Sequence, residues 1–118
     1  MSADRYTEIL AKQLLMNRQT WATLQAHGVT EQSQLRLEFA YNAPRREVAD
    51  ALSSLIREQT NYEVRVEGNG NFLRRKWRVT GATQSTVISP DILDQWVTWM
   101  VSAGKEQGCD FDGWGTSL

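Results

Sequence analysis

Cysteine is almost missing from this sequence. Cys109 stands alone, so no intrachain disulfide can form, and a reducing cytoplasm suits the chain best. Histidine is equally scarce, with His27 the single example. One cysteine and one histidine cannot furnish a structural zinc site of the usual kind. Charge of one sign is also lacking: 13 basic and 14 acidic side chains leave a formal net charge of -1. The concentrated positive field that drives non-specific nucleic-acid binding is therefore absent, although a local basic patch is not excluded. No apolar run approaches a membrane span. No apolar core follows Met1-Ser2-Ala3-Asp4-Arg5, as a signal peptide would require.

What is present is ordinary for a globular chain. The 118 residues, 41% hydrophobic and 23% charged, amount to one domain, 1–118, able to bury a core without staples. Residues 4 to 26 contain neither proline nor glycine and are rich in Ala, Leu, Gln, Lys and Arg, which predicts a helix. Tyr6, Ile9, Leu10, Leu14, Trp21 and Leu24 give it an apolar stripe that weakens around Asn17. Gly28 stops it, so residues 1–28 form an N-terminal helical extension.

The remainder, 34–118, alternates strands and helices. From Gln34 to Tyr41, Leu35, Leu37, Phe39 and Tyr41 share one face, with Arg36 and Glu38 on the other. Pro44 suits the first turn of a helix, and Val48, Leu52, Leu55 and Ile56 stripe it to about Gln59. A second strand follows from Tyr62 to Glu67, then a hairpin turn at Gly68-Asn69-Gly70-Asn71. The third strand spans Phe72 to Thr80, and Gly81 to Thr86 either extends it or forms a loop. Ser89-Pro90-Asp91 starts the last helix with a hydroxyl cap, a proline and an acid near the positive pole. Ile92, Leu93, Trp96, Trp99, Met100 and Ala103 should face the core, Gly108 ends the helix, and Cys109 with Phe111 begins the final strand.

The order β-α-β-β-α-β after a leading helix predicts an α+β ferredoxin-like plait. Its four-stranded antiparallel sheet carries two helices on one face, with the first and third strands central and adjacent.

No catalytic constellation emerges, and no cofactor or metal site either. His27 lies at a helix end, where its charge can meet the negative pole. Cys109 has no histidine near it in sequence and reads as a small buried residue. Asp110 and Asp112 share a strand face at about 7 Å, but no third acid is placed beside them. The row Arg74, Arg75, Lys76 and Arg78 is the main basic feature and the candidate for anion or RNA binding. An RNA-binding plait stacks bases on outward aromatics of its central strands. Here those positions hold Arg36, Glu38, Arg74, Lys76 and Arg78, with Trp77 turned inward. The row reads instead as one side of a charge ladder with Glu38, Glu63 and Glu67.

The C-terminal stretch Asp110-Phe111-Asp112-Gly113-Trp114-Gly115-Thr116 stands apart. A tryptophan between glycines, next to a terminus, either closes the rim of the core or anchors a partner. This stretch resembles the end of the bacterial family of regulators of ribonuclease E activity B, whose last strand closes in a near-identical Tyr-Asp-Gly-Trp-Gly-Thr pattern. The likeness extends as pattern over about residues 18 to 116. It implies a cytoplasmic, non-catalytic protein that binds ribonuclease E and inhibits it, altering mRNA decay. The chain departs from the family in charge. Typical members are strongly acidic and carry an acidic tail past the motif. This sequence is near neutral, shows two residues after Thr116, and has a basic row that would repel an arginine-rich partner. Fold therefore carries over more readily than partner.

The residues expected at a protein interface are Asp110, Asp112, Gly113, Trp114 and Gly115, with the outer sheet face as a second surface. The competing readings are an RNA binder working through the basic row, and a homodimeric ligand-binding or immunity-type module.

Overall fold

The computed structural model describes residues 4–70 and 76–118. Within them the chain forms three helices and two antiparallel sheets. The order is α1 (Arg5–Ala26), β1 (Gln34–Leu35), β2 (Glu38–Ala43), α2 (Arg46–Gln59), β3 (Glu63–Asn69), β4 (Lys76–Ala82), β5 (Thr86–Val87), α3 (Pro90–Gln107) and β6 (Asp110–Gly115). The larger sheet has the order β3-β4-β2-β6, so β2 and β4 are its central, adjacent strands; β1 and β5 form a separate ladder.

Alternation dictates which face is covered. Phe39, Tyr41 and Ala43 of β2, Val64 of β3, Val79 of β4 and Phe111 of β6 are buried against Ala49, Leu52 and Ile56 of α2 and Val97, Met100 and Val101 of α3. Both helices thus lie on one face of the sheet, and the opposite face is open. A second cluster of Leu24, Val29, Leu37, Ile88 and Leu93 sits beneath the small ladder, and Trp96 and Trp114 pack against both clusters. Helix α3 starts as the sequence dictates: Ser89 Oγ accepts from Ile92 N at 3.2 Å, and Pro90 occupies the first turn. It ends at Gly108, whose φ of +79° is the left-handed conformation that glycine adopts without strain.

Several expectations are corrected. The first strand is two pieces, because Thr83 bridges to Leu37 with both its backbone N–H (2.9 Å) and its hydroxyl (3.0 Å) and diverts the chain there. Gly81 to Thr86 both extends β4 to Ala82 and begins β5. Pro44 precedes α2, whose N-cap is Arg45. Strand β3 starts at Glu63 and continues through Gly68 to Asn69, which pairs with Lys76, so the turn does not begin at Gly68. The start of the third strand at Phe72 lies outside the described residues. Cys109 belongs to the helix end, where its N–H donates to Gly104 O at 2.8 Å, and β6 starts one residue later. Ile92 and Trp99 of α3 are partly exposed, at 42% and 37%, rather than buried in the core.

Helix α1 lies against α3 and the β6 edge. Asp4 caps it by accepting from Tyr6 N at 2.8 Å, a bond that holds the Asp4 carboxyl below its ordinary range. The stripe weakness at Asn17 has a structural reason. Asn17 and Gln13 are both buried, while Leu15 and Met16 are exposed.

Candidate functional site

The C-terminal motif is built around a bulge. In the β2·β6 ladder Tyr41 pairs with Phe111 and Ala40 pairs with Gly113, which leaves Asp112 as an extra residue on β6. Gly113 has a φ of +131°, open to glycine and strained for other residues. The insertion resets the alternation. Phe111 and Trp114, three apart, therefore both face the core, and Trp114 pairs with Phe39.

Trp114 is half-buried and engaged. Its indole N–H donates to Asn17 Oδ1 at 2.8 Å, and its ring meets Trp96 edge-on at 6.1 Å. Asn17 in turn donates through Nδ2 to Asp94 Oδ1 at 3.0 Å. One buried amide thus ties α1 to β6 and α3. Gln13 lies beside Gly113: a Cβ placed on that glycine would meet its amide at 3.7 Å.

The two aspartates take different partners. Asp110 is approached by Arg5 at 3.1 Å, and Asp112 by Arg78 at 3.3 Å. Both line a notch of about 220 Å³ with Lys12, Gln13 and Asn42. Asp112, Gly113, Trp114 and Gly115 also line a larger groove of about 660 Å³ on the open sheet face. Its floor is small side chains: Ala40, Thr80 and Ala82. Arg36 and Glu63 form an ion pair at one end, and the guanidinium also donates from Nε to Thr83 O at 3.2 Å. At the other end Arg78 bonds Asn42 Oδ1 at 2.8 Å as well as Asp112.

Of the basic row, Arg74 and Arg75 lie outside the described residues. Lys76 is exposed, and Arg78 is half-buried and paired. His27 is exposed, with Nδ1 2.9 Å from Thr23 O. Cys109 is fully buried, and burial pushes its thiol up to about 11, so it stays protonated at neutral pH. Among the described residues no group of three or more His, Cys, Asp or Glu is placed to hold a metal ion. No described helix is long and apolar enough to cross a membrane.

With this geometry in hand, comparison with known families is decisive: the model for regulator of ribonuclease activity B matches residues 15–116. The chain belongs to that family. A search of the curated proteins finds no match. The region shared with the regulator of ribonuclease activity B family begins at Leu15, inside α1, and ends at Thr116. It therefore contains both Asn17 and Trp114, and every strand of both sheets.

Periodicity pointed away from Asn17, Gln13 and Asp94, because polar residues score against a buried stripe. Their signal was there in weaker form: a polar gap in an apolar stripe, opposite a tryptophan whose N–H needs an acceptor. The floor residues Ala40, Thr80 and Ala82 gave no signal, since a small side chain acquires meaning only beside its cross-strand neighbours.

Proposed function

We propose that this chain is a non-catalytic, protein-binding regulator that holds a bacterial endoribonuclease of the ribonuclease E type and slows its cleavage of RNA in the cytoplasm. The observation that carries the reading is the family match across residues 15–116. We read the sheet order β3-β4-β2-β6, with α2 and α3 on one face, as a ferredoxin-like plait, to which α1 is an added helix within a single domain. The chemistry of the side chains supports binding over catalysis. The Cys109 thiol is buried and held protonated, and the acids near the C-terminus are engaged by Arg5 and Arg78. Asp112, Gly113, Trp114 and Gly115 contribute to the contact surface through the groove they line, and Asp110 through the adjoining notch.

The test is a cleavage assay with purified ribonuclease E, an end-labelled RNA and increasing amounts of this protein. Cleavage should slow to a plateau at stoichiometric regulator, and excess RNA should not restore it. An unchanged rate would refute the proposal. Inhibition relieved by added RNA would mean that the protein sequesters the substrate, and would shift the function to the basic row.

A further inference from the structure

The open face of the larger sheet is organised as a trench. Three cross-strand rows define it. Glu63, Ala82, Glu38 and Gly115 align in one row. Arg65, Thr80, Ala40 and Gly113 align in the next. Glu67, Arg78 and Asn42 form the third, beside Asp112. The middle row is almost without side chains at its centre, and Met16 of α1 stands beyond β6 at the trench's far side. The Arg36–Glu63 and Arg78–Asp112 pairs wall it in at its two ends.

Charge on these walls is balanced with one exception. Arg36 is matched by Glu63, Arg78 by Asp112, and Arg65 lies 3.9 Å from Glu67. Glu38 is exposed and has no ion-pair partner among the described residues. A free carboxylate beside a small-residue floor asks for one cation carried next to small or apolar groups. A dense basic run does not fit, because its second and third cations would meet Arg36 and Arg65.

Size selects among occupants. Four strands span about 15 Å, and six residues along them about 20 Å, giving roughly 300 Å² of face. A stable dimer buries about 800 Å² on each partner. A second copy laid sheet to sheet is thus poorly supported, whereas four or five extended residues, at about 3.3 Å each, match the trench's length. RNA is also poorly matched: Phe39, Tyr41 and Trp77 pack inward and offer no stacking platform. The face also carries Glu38, Glu63, Glu67 and Asp112, which repel phosphates.

We propose that this trench is the docking site for a short linear segment of a protein partner that bears a single lysine or arginine, read by Glu38, between small or apolar residues seated on Ala40, Thr80 and Ala82. The inference deepens the proposed function by naming the surface and chemistry through which a protein is taken, and it rests on that reading only in requiring a protein partner.

The test is independent of any particular nuclease. Random peptides of about seven residues, displayed on phage, are selected on the wild-type protein. Enriched peptides should carry one Lys or Arg flanked by small or apolar residues. Their binding should weaken about tenfold in Glu38→Gln, an isosteric change at an exposed site, and vanish in Ala40→Arg, which fills the floor. Replacing the peptide cation by Glu should recover binding in Glu38→Lys. Enrichment of peptides that bind wild type, Glu38→Gln and Ala40→Arg alike would overturn the inference, as would no enrichment at all. A dimer or an RNA complex that Ala40→Arg disrupts would overturn it too, since another occupant would then own the trench. Binding of ribonuclease E to wild type and Ala40→Arg, measured in parallel, separates the two claims. Equal binding leaves the regulator reading standing and removes the trench. Binding to neither, with peptides still selected, does the reverse.

Discussion

Asn17 uses both ends of its amide inside the protein, the oxygen on Trp114 and the nitrogen on Asp94. A buried polar group left without its partner costs about 1–3 kcal/mol, more than the bond itself contributes. Asn17→Ala orphans the indole N–H and should destabilise the fold by about 2 kcal/mol. Trp114→Phe removes the donor and part of the edge-on contact with Trp96, for a loss of about 1–2 kcal/mol. Chemical denaturation of the two single variants and the double variant checks this. The double variant should cost clearly less than the sum, by about 1 kcal/mol, and strict additivity would show that the bond contributes nothing. At this scale the sequence was only half legible. The stripe of Ile9, Leu10, Trp21 and Leu24 reads correctly as the packed side of α1, yet Asn17 at its centre reads as a defect. Trp99 shows the converse: its spacing assigns it to the core, but burial depends on which neighbours arrive, and more than a third of it stays exposed.

Helix α3 approaches β2 more closely than a side chain allows. A Cβ on Gly104 would come within 2.7 Å of Cys109 O and 2.8 Å of Tyr41 Cε2, and Tyr41 is itself fixed by donating its hydroxyl to Met100 O at 2.6 Å. Gly104→Ala should therefore lift the last turn of α3 off the sheet. The expected loss is about 2–3 kcal/mol, read as a fall in Tm of roughly 10 °C by differential scanning calorimetry. An unchanged Tm would mean that the helix end shifts freely. Local punctuation made this element's bounds legible, with Ser89 and Pro90 at the start and Gly108 at the stop. The division of the first strand was not legible, because its cause is Thr83, 46 residues from Leu37. A bond of that range leaves no trace in a short window of sequence.

For the whole molecule, burial of two weak acids sets the response to alkali. The Cys109 thiol ionises near 9.0 when unburied and only at about 11 in the fold, and burial moves the Tyr41 phenol in the same direction. Both groups are raised, so the unfolded chain releases protons first and the stability they protect is complete below pH 9. Thermal melts should show Tm falling as pH rises from 9 to 11, with part of that slope lost in Cys109→Ala. A Tm that holds steady across this interval would contradict the burial of the thiol. The alternation of strand and helix was legible at this scale because each element carries its own period. The groove on the open sheet face was not, since its floor is written in alanine and threonine. The bulge at Asp112 has one more consequence. The stretch Asp110–Gly115 acts as a phase shifter: one surplus residue changes the strand's beat from two to three, so that a phenylalanine and a tryptophan land on the same side. Were Asp112 to pair with Ala40 in a strand without the bulge, Trp114 would move opposite Glu38, and the indole would turn outward and lose its bond to Asn17. This stretch thus fixes how the last strand is threaded.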